Sequence, residues 1–202
     1  MPSKKQLAIQ LSRLKVFNKP NINLEQYPTN SEIASTILWD AYMKGDIENK
    51  TIADLGAGTG ILGIGALLLG AKKVYFIEKD KETITILEKN LENIEGSYIV
   101  INEDIKDFDE KVDTVLQNPP FGTKQKHADK SFLEKAFSIG KVIYSFHKTS
   151  TDNFVRAIAR DFNFNITETY KFNFPLRQTA KFHKKKIERI EVSCYKLTNS
   201  SK

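Results

Sequence analysis

From residue 51 to residue 162 the sequence repeats one unit, a short apolar run followed by a stretch with helical periodicity. Residues 52–55, 74–77, 98–101, 112–116 and 142–146 read as strands, and 61–69, 81–93, 131–139 and 153–162 read as helices. Strands that alternate with helices are joined by crossovers, which makes their sheet mostly parallel and covers both of its faces. The strand runs are mostly apolar, as strands buried on both faces are. After Phe162 the alternation stops: Phe164, Ile166 and the run 170–174 suggest one strand and 187–197 another, with no helix between them. Two successive strands of this kind form an antiparallel edge on the parallel sheet.

Ahead of the repeat, Leu7, Leu11 and Leu14 recur at helical spacing until Pro20 closes the segment. Residues 24–29 form a polar, proline-interrupted loop, and Asn30 or Ser31 can cap a helix that runs through Tyr42. With 40% apolar and 28% charged side chains over 202 residues, the expectation is one soluble globular domain spanning 1–202. Residues 1–23 are a basic helical extension of that domain, and 171–202 a basic strand region.

Composition excludes several functions. Cys194 is the single cysteine, so no internal disulfide forms. His127, His147 and His183 are scattered without the spacing of a zinc site, and no metal is expected. No run approaches the roughly 20 apolar residues of a membrane span, and the amino terminus lacks the apolar core of a secretory signal. The expected setting is therefore the reducing cytoplasm, away from membranes.

The net charge of +6 is unevenly distributed. Five basic residues and no acid precede Glu25, and nine basic against two acidic residues follow from Lys171 onward, so the ends carry +5 and +7. The centre, 24–170, carries 17 basic and 23 acidic residues, or −6. Basic ends suit a polyanion, because neutralising phosphates releases counterions.

The glycine turn Asp54-Leu55-Gly56-Ala57-Gly58-Thr59-Gly60 follows the first strand and opens a helix, where an open α/β sheet places its ligand. Gly58, Gly60 and Gly63 also satisfy the dinucleotide pattern G-x-G-x-x-G, so a nicotinamide enzyme has to be weighed. Glu78 ends the second strand about 20 residues on, where a carboxylate can accept both ribose hydroxyls of an adenosine. Asp104 follows the third strand, placed to accept from an adenine amino group beside the apolar wall of Ile105. Acids after three successive strands favour S-adenosylmethionine over a nicotinamide.

Asn118-Pro119-Pro120-Phe121 comes directly after the fourth strand. The Asn118 side-chain oxygen and the Pro119 carbonyl can accept the two hydrogens of an exocyclic amino group. Drawing both protons toward acceptors turns the nitrogen lone pair toward a methyl donor. Two fixed φ angles hold the acceptors in place before substrate arrives. Phe121 can stack on a planar base, worth roughly 1–3 kcal/mol.

At these motifs the sequence resembles the class I S-adenosylmethionine-dependent methyltransferases, a Rossmann-like α/β fold with a seven-stranded sheet, and within them the enzymes whose fourth strand ends in Asn/Asp-Pro-Pro-aromatic. More narrowly it is similar to the archaeal and eukaryotic family that N6-methylates one adenosine of small-subunit ribosomal RNA. The likeness rests on residues 24–29 (Leu-Glu-Gln-Tyr-Pro-Thr), the glycine turn, 118–124 (Asn-Pro-Pro-Phe-Gly-Thr-Lys), Phe146-His147-Lys148, and 181–186 (Lys-Phe-His-Lys-Lys-Lys). It implies S-adenosylmethionine as cofactor and S-adenosylhomocysteine as product. It implies that Gln26, Tyr27 and Thr29 line the cofactor pocket, that Asp54, Gly56, Gly58, Thr59, Gly60 and Ile61 form the turn beneath the methionine end, that Glu78 holds the ribose, and that Asp104 with Ile105 holds the adenine. Residues 118–121 hold the target base. Relatives can carry Asp where this chain has Glu78. Eukaryotic relatives work with a small zinc-binding activator protein that covers an apolar edge.

An adenine inside a paired stack cannot reach such a pocket, so the substrate base is single-stranded or flipped out. The basic ends then grip phosphates around it: His183, Lys184, Lys185 and Lys186, helped by Lys4, Lys5, Arg13 and Lys15, with Lys124, His147 and Lys148 near the catalytic loop. Two other readings stay open. The same loop can methylate guanine N2 or a protein glutamine, and a non-catalytic assembly factor can retain a cofactor and RNA site.

Overall fold

The computed structural model describes residues 2–16, 29–120, 128–176 and 188–200. Two helices, α1 (Lys4–Ser12) and α2 (Ser31–Met43), precede the sheet. The alternating region follows as β1 (Thr51–Leu55), α3 (Ile61–Leu68), β2 (Lys73–Ile77), α4 (Lys81–Leu91), β3 (Tyr98–Ile101), β4 (Val112–Gln117), α5 (Ala128–Ile139), β5 (Gly140–Lys148) and α6 (Asp152–Asp161). The chain closes with β6 (Phe164–Leu176) and β7 (Glu188–Asn199).

Side-chain caps fix the helix starts. Ser3 and Gln6 form a reciprocal capping box on α1, and the Asn30 side-chain Oδ1 accepts from the Glu32 N–H at 2.9 Å on α2. Asp80 does the same for α4.

The seven strands lie in the order β3-β2-β1-β4-β5-β7-β6. The first five are mutually parallel, and β7 runs antiparallel to both β5 and β6. The expected mostly parallel sheet with an antiparallel edge is thus the observed one. One core, with Ile52, Phe76, Leu116 and Tyr144 from the sheet, packs against Leu7 and Leu11 of α1, Ile37 and Leu38 of α2, Ile64 of α3 and Leu87 of α4. On the opposite face Leu55, Val115, Ile143 and Tyr195 meet Leu133 and Phe137 of α5 and Val155 and Ile158 of α6. Cys194 is fully buried, as a small apolar side chain on a late strand should be.

Several boundaries differ from the sequence reading by a few residues, most sharply at the junction of α5 and β5. No loop separates α5 from β5, because Ile139 ends the helix and Gly140 starts the strand. A side chain at Gly140 would meet Val115 Cγ2 at 2.6 Å, so the sharp transition needs a residue without one. Strand β6 is continuous from Phe164, with its register shifted between Ile166 and Glu168. That bulge interrupts the period-two pattern between the two parts that the sequence reading joined into one strand, as observed.

A polar network ties the amino-terminal face to the antiparallel edge. Asp46 Oδ2 accepts from Tyr144 Oη at 2.7 Å and pairs with Lys196 at 2.6 Å, nearly out of solvent. Close by, the Tyr170 hydroxyl bonds both Asp40 and Glu168, which Lys44 also bridges.

Candidate active site

Strand register brings the chemistry to one edge. Leu55 is paired with Ile77 on one side and Gln117 on the other, and Ile77 is paired with Ile101. The residues one step beyond that row are Gly56, Glu78, Asn102 and Asn118, so the predicted turn, ribose carboxylate and catalytic loop all start from the carboxyl ends of adjacent strands. Asn102 locks its neighbour by donating to the carbonyls of Glu78 at 3.1 Å and Lys79 at 3.0 Å.

The glycine turn needs its glycines. Gly56, Gly58 and Gly60 have φ of 65°, 56° and 91°, in the left-handed region that a side chain strains. At Gly60 an added Cβ would also lie 2.3 Å from Leu87 Cδ1. Gly60 occupies the N-cap of α3 and has no side chain with which to cap it. Asp54, 2% exposed at the end of β1, supplies the missing acceptor: its Oδ2 takes the Gly63 N–H at 2.8 Å. Burial pushes the Asp54 carboxyl up to about 8 against the pull of that N–H, and the nearby Glu78 charge pushes the same way.

Glu78 reaches into the turn. Its Oε2 accepts from the Gly58 N–H at 2.9 Å and its Oε1 from the Asp80 N–H at 2.9 Å. Each oxygen keeps a second lone pair, so the longer side chain still has acceptors for two hydroxyls. Burial raises its pKa above the usual carboxylate range, opposed by those backbone donors. Asp104 caps the short 3-10 turn 105–107 through the Lys106 N–H at 3.2 Å, and Ile105 behind it is buried.

The loop after β4 begins with an unfilled acceptor. The Asn118 amide donates from Nδ2 to Thr29 Oγ1 at 2.9 Å, while its Oδ1 is buried without a partner among the described residues. A buried acceptor left unmade costs about 1–3 kcal/mol, and an incoming amino group removes that cost. Pro119 is buried and Pro120 half-buried behind it.

The residues fit an adenosyl cofactor. The glycine turn is kept free of side chains at left-handed positions, Glu78 offers spare lone pairs two strands from Asn118, and the space over Gly56 is walled by Phe132 of α5, whose Cε1 lies 2.9 Å from where a Gly56 Cβ would stand. Among the described residues no cluster of three or more His, Cys, Asp or Glu could hold a metal ion, and no helix is long and apolar enough to cross a membrane.

Thr29, Asp54, Gly56, Gly58, Thr59, Gly60, Ile61, Glu78, Asn118, Pro119 and Pro120 come to this edge, with Asp104 and Ile105 after β3 beside it. Gln26, Tyr27, Phe121, Lys124, His183, Lys184, Lys185 and Lys186 lie outside the described residues. Lys4, Lys5, Arg13 and Lys15 are exposed on and just after α1, and Lys148 is half-buried at the end of β5. His147 departs from its expected role as a phosphate contact: it is 2% exposed, and burial pushes its imidazole down to about 3, leaving it neutral. It instead ends a buried chain in which Gln117 Nε2 donates to Ser145 Oγ at 2.9 Å and Ser145 Oγ meets His147 Nε2 at 2.6 Å. The Gln117–Ser145 bond and the two partners of Asn90 are absent from the sequence reading, because spacings of 28, 31 and 75 residues follow no local pattern.

The family model described as conserved hypothetical protein 95 matches residues 13–163. The rRNA N(6)-adenosine-methyltransferase METTL5 of Danio rerio is 37% identical over 202 residues, covering 96% of this chain and 98% of the relative. An uncharacterized protein of Methanocaldococcus jannaschii is 36% identical over 209 residues, covering 98% and 94%. A crystal structure of a proposed RNA methyltransferase from Pyrococcus horikoshii superposes with a TM-score of 0.90 at 44% identity, covering 98% of this chain and 99% of that one.

Proposed function

The chain belongs to the family of the rRNA N(6)-adenosine-methyltransferases, and from that premise we propose that it transfers a methyl group from S-adenosylmethionine to the N6 amino group of an unstacked adenosine in RNA, namely small-subunit ribosomal RNA. The observation that carries this reading is the buried Asn118 Oδ1 at the carboxyl end of β4, unpartnered among the described residues.

The cofactor, when bound, supplies a methyl carbon made electrophilic by its sulfonium. The glycine turn 56–60 and Glu78 would hold it, with Asp104 and Ile105 at the adenine end. Asn118 Oδ1 and the Pro119 carbonyl accept the two N6 protons, fix the amino group and aim its lone pair. Thr29 holds the Asn118 amide so that the oxygen, not the nitrogen, faces the substrate. Forming the N–C bond would break the methyl–sulfur bond, release S-adenosylhomocysteine and shed one N6 proton to solvent, so no strong base is required and positioning supplies most of the rate.

The exposed charges at Lys4, Lys5, Arg13 and Lys15, with the basic run 184–186, serve the phosphates around the flipped base. Residues 1–23 and 171–202 are then the basic flanks of a single domain acting in the cytoplasm. The small zinc-binding activator has a fitting seat at the sheet's edge strand β3, where Tyr98 and Ile99 are exposed.

The test is methyl transfer from radiolabelled cofactor to RNA and to protein, followed by nucleoside analysis. Label in N6-methyladenosine supports the reading; label in N2-methylguanosine or in protein overturns the assigned acceptor.

A further inference from the structure

Asn90, on α4, is 8% exposed and uses its side-chain amide to join two stretches of backbone remote in sequence. Its Oδ1 accepts the Lys15 N–H at 2.8 Å, and its Nδ2 donates to the Lys15 carbonyl at 3.0 Å and to the Thr59 carbonyl at 2.9 Å. Both donors and one acceptor of the amide are therefore committed.

The Thr59 carbonyl belongs to the peptide that enters Gly60. The other end of that peptide, the Gly60 N–H, donates to the Ala57 carbonyl at 2.9 Å. Turning the peptide breaks both bonds. Without Asn90 only one would resist, at a glycine whose backbone is freer to rotate than any other residue's. The same amide holds Lys15 as a paired strand would, bonding both of its backbone groups. Lys15 follows α1, which is seated on α2 and α3 through Leu7 and Leu11.

We propose that Asn90 is a positioning residue for cofactor binding, which locks the Thr59–Gly60 peptide in the orientation the cofactor meets and couples the docking of the amino-terminal arm at Lys15 to occupancy of the glycine turn. The proposal rests on the reading of this turn as the S-adenosylmethionine site. Linkage is reciprocal: if the clamp favours cofactor binding, bound cofactor tightens the clamp.

The experiment titrates S-adenosylmethionine calorimetrically into full-length wild type, Asn90→Ala, the near-isosteric Asn90→Asp, and Lys89→Ala as an exposed neighbour control. Loss of the Thr59 bond should raise Kd and the cofactor KM about tenfold, the scale of one buried hydrogen bond. At saturating cofactor kcat and the KM for RNA should stay within about twofold. Asn90→Asp keeps the Lys15 acceptor but loses both donors when ionised, so it should weaken binding as Asn90→Ala does, while Lys89→Ala should match wild type. Amide exchange in the wild type supplies a readout free of any variant: adding cofactor should slow exchange at Lys15 N–H and Asn90 Nδ2. Wild type that binds no S-adenosylmethionine overturns the cofactor reading itself. Wild type that binds, with Asn90→Ala or Asn90→Asp within twofold of it, or with Lys15 and Asn90 exchange unmoved, overturns the role given to Asn90, as does a fall in kcat with KM unchanged.

Discussion

Thr29 Oγ1 accepts the Asn118 Nδ2–H at 2.9 Å across 89 residues of sequence, and this bond decides which end of the Asn118 amide is left for a ligand. Thr29, expected as a wall of the cofactor pocket, therefore also orients the Asn118 amide, for which the catalytic role is proposed.

Replacing Thr29 by Val removes that acceptor at nearly constant volume. The Asn118 amide loses its anchor, and kcat should fall about tenfold, roughly the 1.4 kcal/mol of one hydrogen bond in a buried site. Thr29→Ser keeps the hydroxyl and should stay within about threefold of wild type. Steady-state kinetics at saturating cofactor distinguish the two, and equal losses in both variants would contradict the orienting role.

Stability should depend on pH in a way set by two buried groups of opposite sign. Asp54, raised to about 8, stays protonated in the folded chain while the unfolded chain ionises near 3.8, so the folded state binds the extra proton and stability falls as pH rises between those values. His147, lowered to about 3 from 6.5, stays neutral in the folded chain, so stability rises with pH over that window. The two slopes oppose each other from about 4 to 6.5, and above about 6.5 the imidazole drops out, leaving the falling slope of Asp54, to which Glu78, also raised by burial, adds with the same sign. There Asp54 should cost the wild type up to about 1.4 kcal/mol per pH unit, a contribution that Asp54→Asn removes. Urea unfolding at pH 6.5, 7.2 and 8.0 measures it; equal slopes in both proteins would refute the assignment.

Gly63 in α3 lies against Phe76 of β2, whose Cε1 would be 2.3 Å from an added Cβ. Gly63→Ala gains helix propensity but must displace a ring at the centre of the core. A net loss of about 1–3 kcal/mol is expected by thermal or urea unfolding. A stabilised variant would show that the ring yields freely.

Much of this molecule was legible in its sequence because its signals are local. Apolar runs of four to six residues, Asn30 and the glycine turn announce strands, a cap and a ligand edge from their immediate neighbours. The order of the strands brings Glu78 and Asn118 to the same edge, as the crossover rule requires. What stayed hidden depends on pairs distant in the chain. Nothing near Asn90 points to Lys15, and nothing near Asp54 shows that it caps a helix whose own N-cap is Gly60. His147 shows the limit from the other side: beside Lys148 it reads as part of a basic patch, yet strand alternation turns it inward onto Ser145.

The central claim is that Asn118 presents an oxygen to the amino group of an adenosine. Its most direct test is the stoichiometry of N6-methyladenosine at each position of small-subunit ribosomal RNA after incubation with wild type or Asn118→Ala, in parallel with calorimetric cofactor binding. The account predicts methylation of one adenosine by the wild type, a loss of at least about a hundredfold in the variant, and cofactor affinity within about threefold between them. Undiminished methylation by Asn118→Ala, with its cofactor site intact, would contradict it.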